Sequence, residues 1–175
     1  MSRRFVFIDR DGTLNVERNY LSSPDQLELF PGAGQALHKA QNAGWGLCVV
    51  TNQAGIARGY FDLRQLARIH ERLEAMLAEY DVRLDGIYFC PHGPDDGCDC
   101  RKPRPGMIHQ AIARHGLDPR QAWVIGDKDV DVGLGAAVGA KTILVRTGYG
   151  RQYEAGSGAD LVANDLAAAI DLIVG

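Results

Sequence analysis

Residues 5–14 read FVFIDRDGTL, a short apolar run that ends in two aspartates one residue apart and then in Gly-Thr. A run this short, with aromatic and β-branched residues, predicts a buried strand. Because side chains alternate along a strand, we expect Asp9 and Asp11 to share one face and Arg10 to point to the other. Two buried carboxylates repel unless a cation lies between them or one keeps its proton. The segment therefore predicts either such a charged site or, more simply, a strand that ends in a polar Asp-Gly turn.

Strands and helices alternate along the rest of the chain. Strand-like runs lie at 46–51, 86–90, 122–126, 141–146 and, more weakly, 159–162. Helical patterns lie at 33–43, 62–80, 106–115, 129–138 and 164–174. Asp62 and Asn164 are candidate N-caps of the second and the last of these helices. The alternation predicts an α/β fold, a Rossmann-like parallel sheet sandwiched by helices.

Length and composition bound the class of protein. The chain of 175 residues is long enough for one domain, so we expect a single domain over 1–175. The net charge of -3 and the absence of a long basic run argue against nucleic acid as a partner. Only four apolar residues lie between Arg4 and Asp9, too few for a signal peptide, and no stretch approaches membrane-spanning length. We expect a cytoplasmic monomer without a membrane partner.

Four polar or potentially metal-binding residues fall at the ends of predicted strands, namely Asp9, Thr51, Cys90 and Asp127. In open α/β sheets, ligands bind beyond the carboxyl ends of the strands, where the strand order reverses. In isolation each residue has a simpler interpretation: Thr51 as a helix cap, Asp127 as a turn acid after Gly126. Four such residues at one sheet edge predict a site there.

A cysteine-rich loop follows the third predicted strand. Cys90, His92, Cys98 and Cys100 lie within eleven residues. In a reducing compartment they are not expected to form disulfides, and three thiolates with one imidazole are the ligand set of a closed, structural Zn²⁺ site. The alternative is four unrelated residues in a polar loop. We expect a zinc-stabilised loop over 90–100, while Cys48 lies within a strand as a small core residue.

Four segments in a fixed order carry a family resemblance. They are DRDGT at 9–13, TNQ at 51–53, RKP at 101–103 and GDKDVD at 126–131. This order resembles the haloacid dehalogenase superfamily of phosphohydrolases, and the likeness runs from residue 5 to about 150. The resemblance implies that Asp9 attacks phosphorus to form an aspartyl-phosphate. It implies that Asp11 protonates the leaving group and later deprotonates water, keeping its proton because ionisation beside other acids is unfavourable.

The same resemblance implies a catalytic Mg²⁺ and a phosphate site. Asp9, Asp127 and the backbone carbonyl of Asp11 would hold the ion through hard oxygen ligands. Thr51 and Lys102 would bind the non-bridging phosphate oxygens, where fixed donors stabilise the transition state. Asp131 is expected behind these ligands or at the start of a helix, and not on the metal.

Longer segments narrow the resemblance. DRDGTLN, TNQAGIARGYF, CPH, CDCRKPRPGM and GDK together resemble the bacterial D-glycero-manno-heptose 1,7-bisphosphate 7-phosphatases, which act in making the ADP-heptose precursor of lipopolysaccharide core. This implies a phosphorylated sugar as substrate, with Arg101 on the rest of the bisphosphate. The implied contacts are Arg10, Glu17, Arg18, Asn19, Tyr20, Asn52, Gln53, Ala54, Arg101 and Lys128, beside Thr51 and Lys102. The intervals between motifs leave no room for a cap domain.

Other functions fit parts of the sequence. Histidinol-phosphate phosphatase resembles the chain in DRDGT, TNQ and CDCRKP, whereas GIARGYF and PGM favour the heptose family. A signalling receiver domain needs its phosphorylated Asp near position 51, where this chain has Thr51. A nucleotide-binding Rossmann domain needs a G-x-G-x-x-G after the first strand, which is absent here. A non-catalytic, zinc-stabilised binding protein stays open.

Overall fold

The computed structural model describes residues 3–175 as a six-stranded, wholly parallel sheet flanked by helices. The strands are β1 (Phe5–Ile8), β2 (Gly46–Asn52), β3 (Gly86–Cys90), β4 (Trp123–Gly126), β5 (Lys141–Val145) and β6 (Leu161–Ala163). The helices are α1 (Ala33–Asn42), α2 (Leu63–Ala78), α3 (Gly106–His115), α4 (Asp129–Val138), α5 (Gly150–Tyr153) and α6 (Leu166–Val174). The predicted α/β fold is confirmed.

Both faces of the sheet are covered, which is why its strands are nearly all apolar. The side chains on one face of β1, Val6 and Ile8, pack in a core with residues of α1, α2 and α6. The alternate set, Phe5 and Phe7, packs in a second core with residues of α3 and α4, such as Met107. Side-chain alternation along β1 thus links the two layers.

The strand order β3-β2-β1-β4-β5-β6 places the point at which the strand order reverses between β1 and β4. The backbone amide of Asp9 donates to the carbonyl of Ile125 at 2.9 Å, so pairing with β4 continues one residue beyond β1. Asp9 and Asp127 therefore emerge side by side at the switch point, the place where α/β sheets bind ligands. Over residues 3–175 no second sheet is present, and none of the helices there is long and apolar enough to cross a membrane.

The helices depart from the sequence prediction at one N-cap and in three short elements. Asp62 caps α2, as predicted, by accepting from the amide of Gln65. Asn164 is not the cap of α6: Asp165 accepts from the amide of Ala168, while Asn164 accepts from the Arg146 guanidinium. Adjacent Asn and Asp are equally good caps, so local sequence did not decide between them. Helix α5 and two short 3₁₀ helices, Pro24–Gln26 and Pro119–Gln121, were not predicted.

Candidate active site

A buried lysine joins two aspartates from distant parts of the chain. The Lys102 ammonium donates to Asp9 Oδ1 and to Asp131 Oδ1, both at 2.7 Å, and to the carbonyl of Val50 at 2.9 Å. Burial alone would lower the pKa of Lys102, but the charges of Asp131 and Asp9 outweigh it and raise that pKa. Lys102 thus uses all three of its N–H donors inside the protein. The contacts fix the Asp9 carboxylate at the end of β1.

The segment that carries Lys102 is fastened to the end of β2. The amide of Lys102 donates to Asn52 Oδ1 at 3.0 Å, and Asn52 Nδ2 donates back to the Lys102 carbonyl at 3.4 Å. The Lys102–Pro103 peptide bond is cis. Asp131 lies at the start of α4, as expected, and its Oδ2 accepts from the amide of Lys128. Both oxygens of Asp131 are therefore occupied by protein donors.

Asp127 is enclosed by two glycines in the left-handed region. A Cβ on Gly12 (φ +88°) would lie 2.3 Å from Asp127 Oδ2, and one on Gly148 (φ +56°) would lie 2.2 Å from it. Oδ2 accepts from the amide of Tyr149 at 2.9 Å. Asp127 Oδ1 is buried and has no hydrogen-bond partner among the residues that the structure describes. Only glycine lets the two loops approach this carboxylate so closely.

The acids at this edge are arranged for a cation. Asp9, Asp127 and Asp131 each offer a carboxylate oxygen within 4.8 Å of the others. Burial, together with the charges of Asp9 and Asp131, raises the pKa of Asp127 to about 9. The unpaired Asp127 Oδ1 and the Asp9 carboxylate are hard oxygen ligands at one edge of the sheet, so this donor set fits Mg²⁺. Asp131, with both oxygens taken, supports the Lys102 contact and leaves the ion to the other two.

Arg10 does not point away from the acids, and that prediction is wrong. Its Nη2 donates to Asp11 Oδ1 at 3.0 Å and to Asp11 Oδ2 at 2.8 Å. The strand ends at Ile8, and the amides of Thr13, Leu14 and Asn15 all donate to the Arg10 carbonyl. Side-chain alternation therefore stops at Asp9, because the chain turns around that carbonyl.

Asp11 also departs from the prediction that it keeps its proton. Burial would raise the pKa of Asp11, but the Arg10 charge and hydrogen bonds from Asn15, Arg10 and Gln53 hold it below the ordinary value. Asn15 Nδ2 and Gln53 Nε2 each donate to the carboxylate at 3.0 Å. Gln53 also donates to Thr51 Oγ1 at 2.8 Å, which connects Asp11 to the end of β2. These contacts hold the carboxylate in place and favour its ionised form.

These groups line an open pocket of about 460 Å³. It contains most of the predicted site residues: Asp9, Asp11, Glu17, Asn19, Tyr20, Thr51, Asn52, Gln53, Ala54, Arg101, Lys102 and Lys128. Arg10 is fully buried and lies outside the lining, and Arg18 pairs with Glu28 on the surface. The structure therefore does not bring Arg10 and Arg18 to the pocket as the predicted contacts required.

One wall of the pocket was missed in the sequence. Tyr149, Gln152 and Tyr153, in and beside α5, line it. The Lys128 ammonium lies 4.7 Å from the centre of the Tyr149 ring, and the charges of Asp127 and Asp9 raise the pKa of Lys128 against the lowering effect of burial. The signal for this wall was Thr-Gly-Tyr-Gly at 147–150, which Arg146 separates from the end of β5 and which is a glycine-rich turn at the same edge of the sheet.

The predicted zinc ligands converge. Cys90 Sγ lies 3.6 Å from Cys98 Sγ and 3.5 Å from His92 Nδ1, and His92 Nδ1 lies 3.3 Å from Cys100 Sγ. With Zn–S bonds of about 2.3 Å and Zn–N bonds of about 2.0–2.1 Å, tetrahedral ligands lie about 3.8 Å (S–S) and about 3.6 Å (S–N) apart. The three observed distances are close to these values, and all four ligand atoms lie within 4.8 Å of one another, so the donor set fits a tetrahedral zinc ion. Arg101 and Lys102 follow Cys100 directly.

Comparisons with known proteins indicate the same class of enzyme as this geometry does. A HAD-hydrolase-like family model matches residues 99–169. The D,D-heptose 1,7-bisphosphate phosphatase of B. bronchiseptica, whose crystal structure holds magnesium and phosphate, is 38% identical with a TM-score of 0.92, covering 98% of both chains. The sheet, the strand-end acids and the buried lysine thus define a haloacid-dehalogenase-like phosphomonoester hydrolase.

Curated relatives narrow the class to one family. The D-glycero-β-D-manno-heptose-1,7-bisphosphate 7-phosphatase of Haemophilus ducreyi is 44% identical over 99% of this chain and 98% of its own length. The protein of the same name from Escherichia coli K12 is 43% identical over 93% of this chain and 89% of its own. At this identity and coverage, the chain belongs to the D-glycero-β-D-manno-heptose-1,7-bisphosphate 7-phosphatase family.

The close approach of Gly148 to Asp127 gives a testable prediction. Gly148→Ala places a Cβ against the Asp127 carboxylate, whereas a Cβ on Gly156 (φ +77°) would meet nothing within 4 Å. Alanine at either position carries a left-handed backbone penalty of about 1–2 kcal/mol. Gly148→Ala adds an overpacking cost of about 1–3 kcal/mol, so we expect it to be more destabilising than Gly156→Ala in urea unfolding. Equal losses in the two variants would show that the loops around Asp127 are loosely packed.

Proposed function

We propose that the chain hydrolyses the 7-phosphate of D-glycero-manno-heptose 1,7-bisphosphate through an aspartyl-phosphate on Asp9, in making the ADP-heptose precursor of lipopolysaccharide core. The observation that carries the proposal is the placement of Asp9 between the Lys102 ammonium and the unpaired Asp127 oxygen. Family membership supports the substrate and favours it over histidinol phosphate. A cytoplasmic location and a monomeric state stay predictions.

Asp9 is placed to act as the nucleophile. Lys102 fixes its Oδ1, which orients the carboxylate at the floor of the pocket. Attack on phosphorus forms the Asp9–phosphate bond and breaks the bond to the sugar oxygen, so that one difficult step is divided into two. The Thr51 hydroxyl borders the same space and would donate to a non-bridging oxygen. Lys102, whose three N–H donors are engaged by the protein, would act there through its positive charge, which stabilises the developing negative charge.

Asp11 is placed to move protons. A phosphate dianion that enters beside Asp11 adds negative charge there, which raises the pKa of the carboxyl group and favours uptake of a proton. Asp11 then gives that proton to the departing sugar alkoxide. The carboxylate that remains is the form held by Arg10, Asn15 and Gln53, and it takes a proton from the water that cleaves the aspartyl-phosphate.

Asp9, Asp127 and the carbonyl of Asp11 would hold Mg²⁺. When bound, the ion supplies positive charge against the buried acids and the phosphate oxygens. The chain supplies the shape: Gly12 and Gly148 admit the Asp127 carboxylate, and Asp131 keeps Lys102 in place beside it.

The outer pocket suits the rest of a sugar bisphosphate. Arg101 and Lys128 line it as cations for the second phosphate, and Glu17 and Asn19 offer hydroxyl-binding groups. Glu17 Oε1 accepts from the amide of Asn19, which shapes this loop. Since no cap covers the pocket within residues 3–175, loops select the substrate, and the substrate itself would cover part of the site.

We further propose that Cys90, His92, Cys98 and Cys100 hold a structural Zn²⁺. Four protein ligands leave no open position for catalysis on that ion. The ion would order the polar loop over 90–100 and thereby the Arg101 side chain, whose Nη1 donates to the His92 carbonyl at 3.3 Å.

The function is tested by phosphate release with Mg²⁺ present. We expect faster release from heptose 1,7-bisphosphate than from histidinol phosphate, and retention of the 1-phosphate in the product. Asp9→Asn removes the nucleophile and should lower kcat by at least about 10³-fold, since the covalent route is lost. A higher kcat/KM on histidinol phosphate would reject the heptose assignment, and full activity of Asp9→Asn would reject the nucleophile.

The zinc proposal is tested by metal analysis of the purified protein. We expect one zinc per chain in the wild type and in Cys48→Ala, because Cys48 is buried in the second core and lies outside the cluster. Cys100→Ala should lose the ion and lower the melting temperature, since binding free energy of a structural metal is folding free energy. Zinc-free wild-type protein of unchanged stability and activity would contradict the proposal.

A further inference from the structure

Arg10 is a fully buried cation that lies outside the pocket. A guanidinium group removed from water is destabilising unless its charge and its donors are matched. One side of the group is matched by Asp11, which accepts from Nη2 at 2.8 and 3.0 Å and from Nε at 3.3 Å. The remaining donor, Nη1, points the other way, towards α2.

His70, in the middle of α2, accepts a hydrogen bond from Arg10 Nη1. Its Nε2 atom lies 3.2 Å from Arg10 Nη1, and the imidazole is buried with its ring 6.0 Å from the ring of Phe89 on β3. A guanidinium group has no acceptor atom, so His70 Nε2 must accept and the imidazole must be neutral, with its proton on Nδ1. A neutral acceptor satisfies Nη1 without competing for the charge that Arg10 directs at Asp11.

We propose that His70 is a positioning residue for the hydrolase reaction: it fixes the Arg10 guanidinium, which in turn fixes the Asp11 carboxylate where protons are exchanged with the leaving group and water. This inference rests on the function proposed above. The chain His70–Arg10–Asp11 runs from a helix on one face of the sheet to the pocket. It gives α2 a part in catalysis although His70 does not line the pocket.

Asp11 has other hydrogen-bond partners, so His70 is not needed to hold the carboxylate in the pocket. Its contribution is to the orientation of that carboxylate. Asn15 and Gln53 also donate to the carboxylate, one to each oxygen. Only Arg10 contacts both oxygens at once, which sets the plane of the group. Without an acceptor at position 70, Nη1 would be a buried donor with no partner, and the guanidinium would have to move to find one. The Asp11 carboxylate would then turn with it.

The experiment compares His70→Leu with His70→Gln in the full chain. Leu removes the acceptor at similar volume, whereas the Gln side-chain oxygen reaches about the position of Nε2. On heptose 1,7-bisphosphate we expect His70→Leu to lower kcat at least about tenfold with KM changed less than about twofold, since misplaced proton transfer loses part of a general acid–base contribution of about 10²–10⁴-fold. His70→Gln should recover most of that loss. His70→Met replaces His70→Leu if the latter does not fold.

A second substrate distinguishes positioning from general damage. The leaving group of p-nitrophenyl phosphate departs without a proton, so its kcat/KM should fall much less than that of the sugar bisphosphate in His70→Leu. Ile69→Val, a mild truncation in the neighbouring core position, should leave the ratio of the two substrates unchanged.

Three outcomes would overturn the positioning role while leaving the proposed function intact: unchanged kcat in His70→Leu, a loss that His70→Gln does not recover, or an equal loss on both esters. Wild-type protein without activity on heptose 1,7-bisphosphate would instead remove the proposed function, and this inference with it.

Discussion

The rest of the structure depends on one electrostatic constraint at the sheet edge: three buried carboxylates lie within 4.8 Å of one another, and the buried Lys102 ammonium contacts only two of them. Lys102 satisfies one oxygen of Asp9 and one of Asp131, and no donor reaches Asp127 Oδ1 among the described residues. Burial beside those acids raises the pKa of Asp127 to about 9, because a further negative charge at this edge is unfavourable. A bound divalent cation would relieve this repulsion. The glycines that admit Asp127 and the cis-proline turn that places Lys102 surround this one arrangement.

The two predicted metal centres are linked through a short stretch of chain. Cys100 belongs to the zinc cluster, Arg101 to the outer pocket and Lys102 to the Asp9 contact. Asn52 at the end of β2 holds the backbone of Lys102 from the other side. A polar loop of this kind has no apolar core of its own. A structural metal would therefore hold Cys100, and through it the two residues that follow, in place. Substrate recognition and nucleophile alignment would then share one support.

Much of this could be predicted from the sequence, because the strands are short apolar runs and parallel strands bring their carboxyl ends together. Asp9, Thr51, Lys102 and Asp127 lie at one edge of the sheet for that reason, and their catalytic roles stay predictions. The wrong predictions concern residues that lie just beyond the end of a strand. Alternation predicted that Arg10 faces away from Asp11, but the strand ends two residues earlier and the chain turns. The expectation that Asp11 keeps its proton also disagrees with its lowered pKa, because Arg10 was expected to point away from Asp11.

Other features have no signal in a single sequence. His70 occupies a position on the apolar stripe of α2, and only tertiary packing shows that it faces a buried guanidinium. Tyr149 joins the pocket because β5 lies beside β4, which spacing along the chain does not reveal. The most direct test of the central constraint is a calorimetric titration with Mg²⁺ of the wild type and of Asp127→Asn, which keeps the shape of the side chain and removes its charge. We expect one ion per chain in the wild type and loss of that binding in the variant; equal binding in both would contradict the constraint.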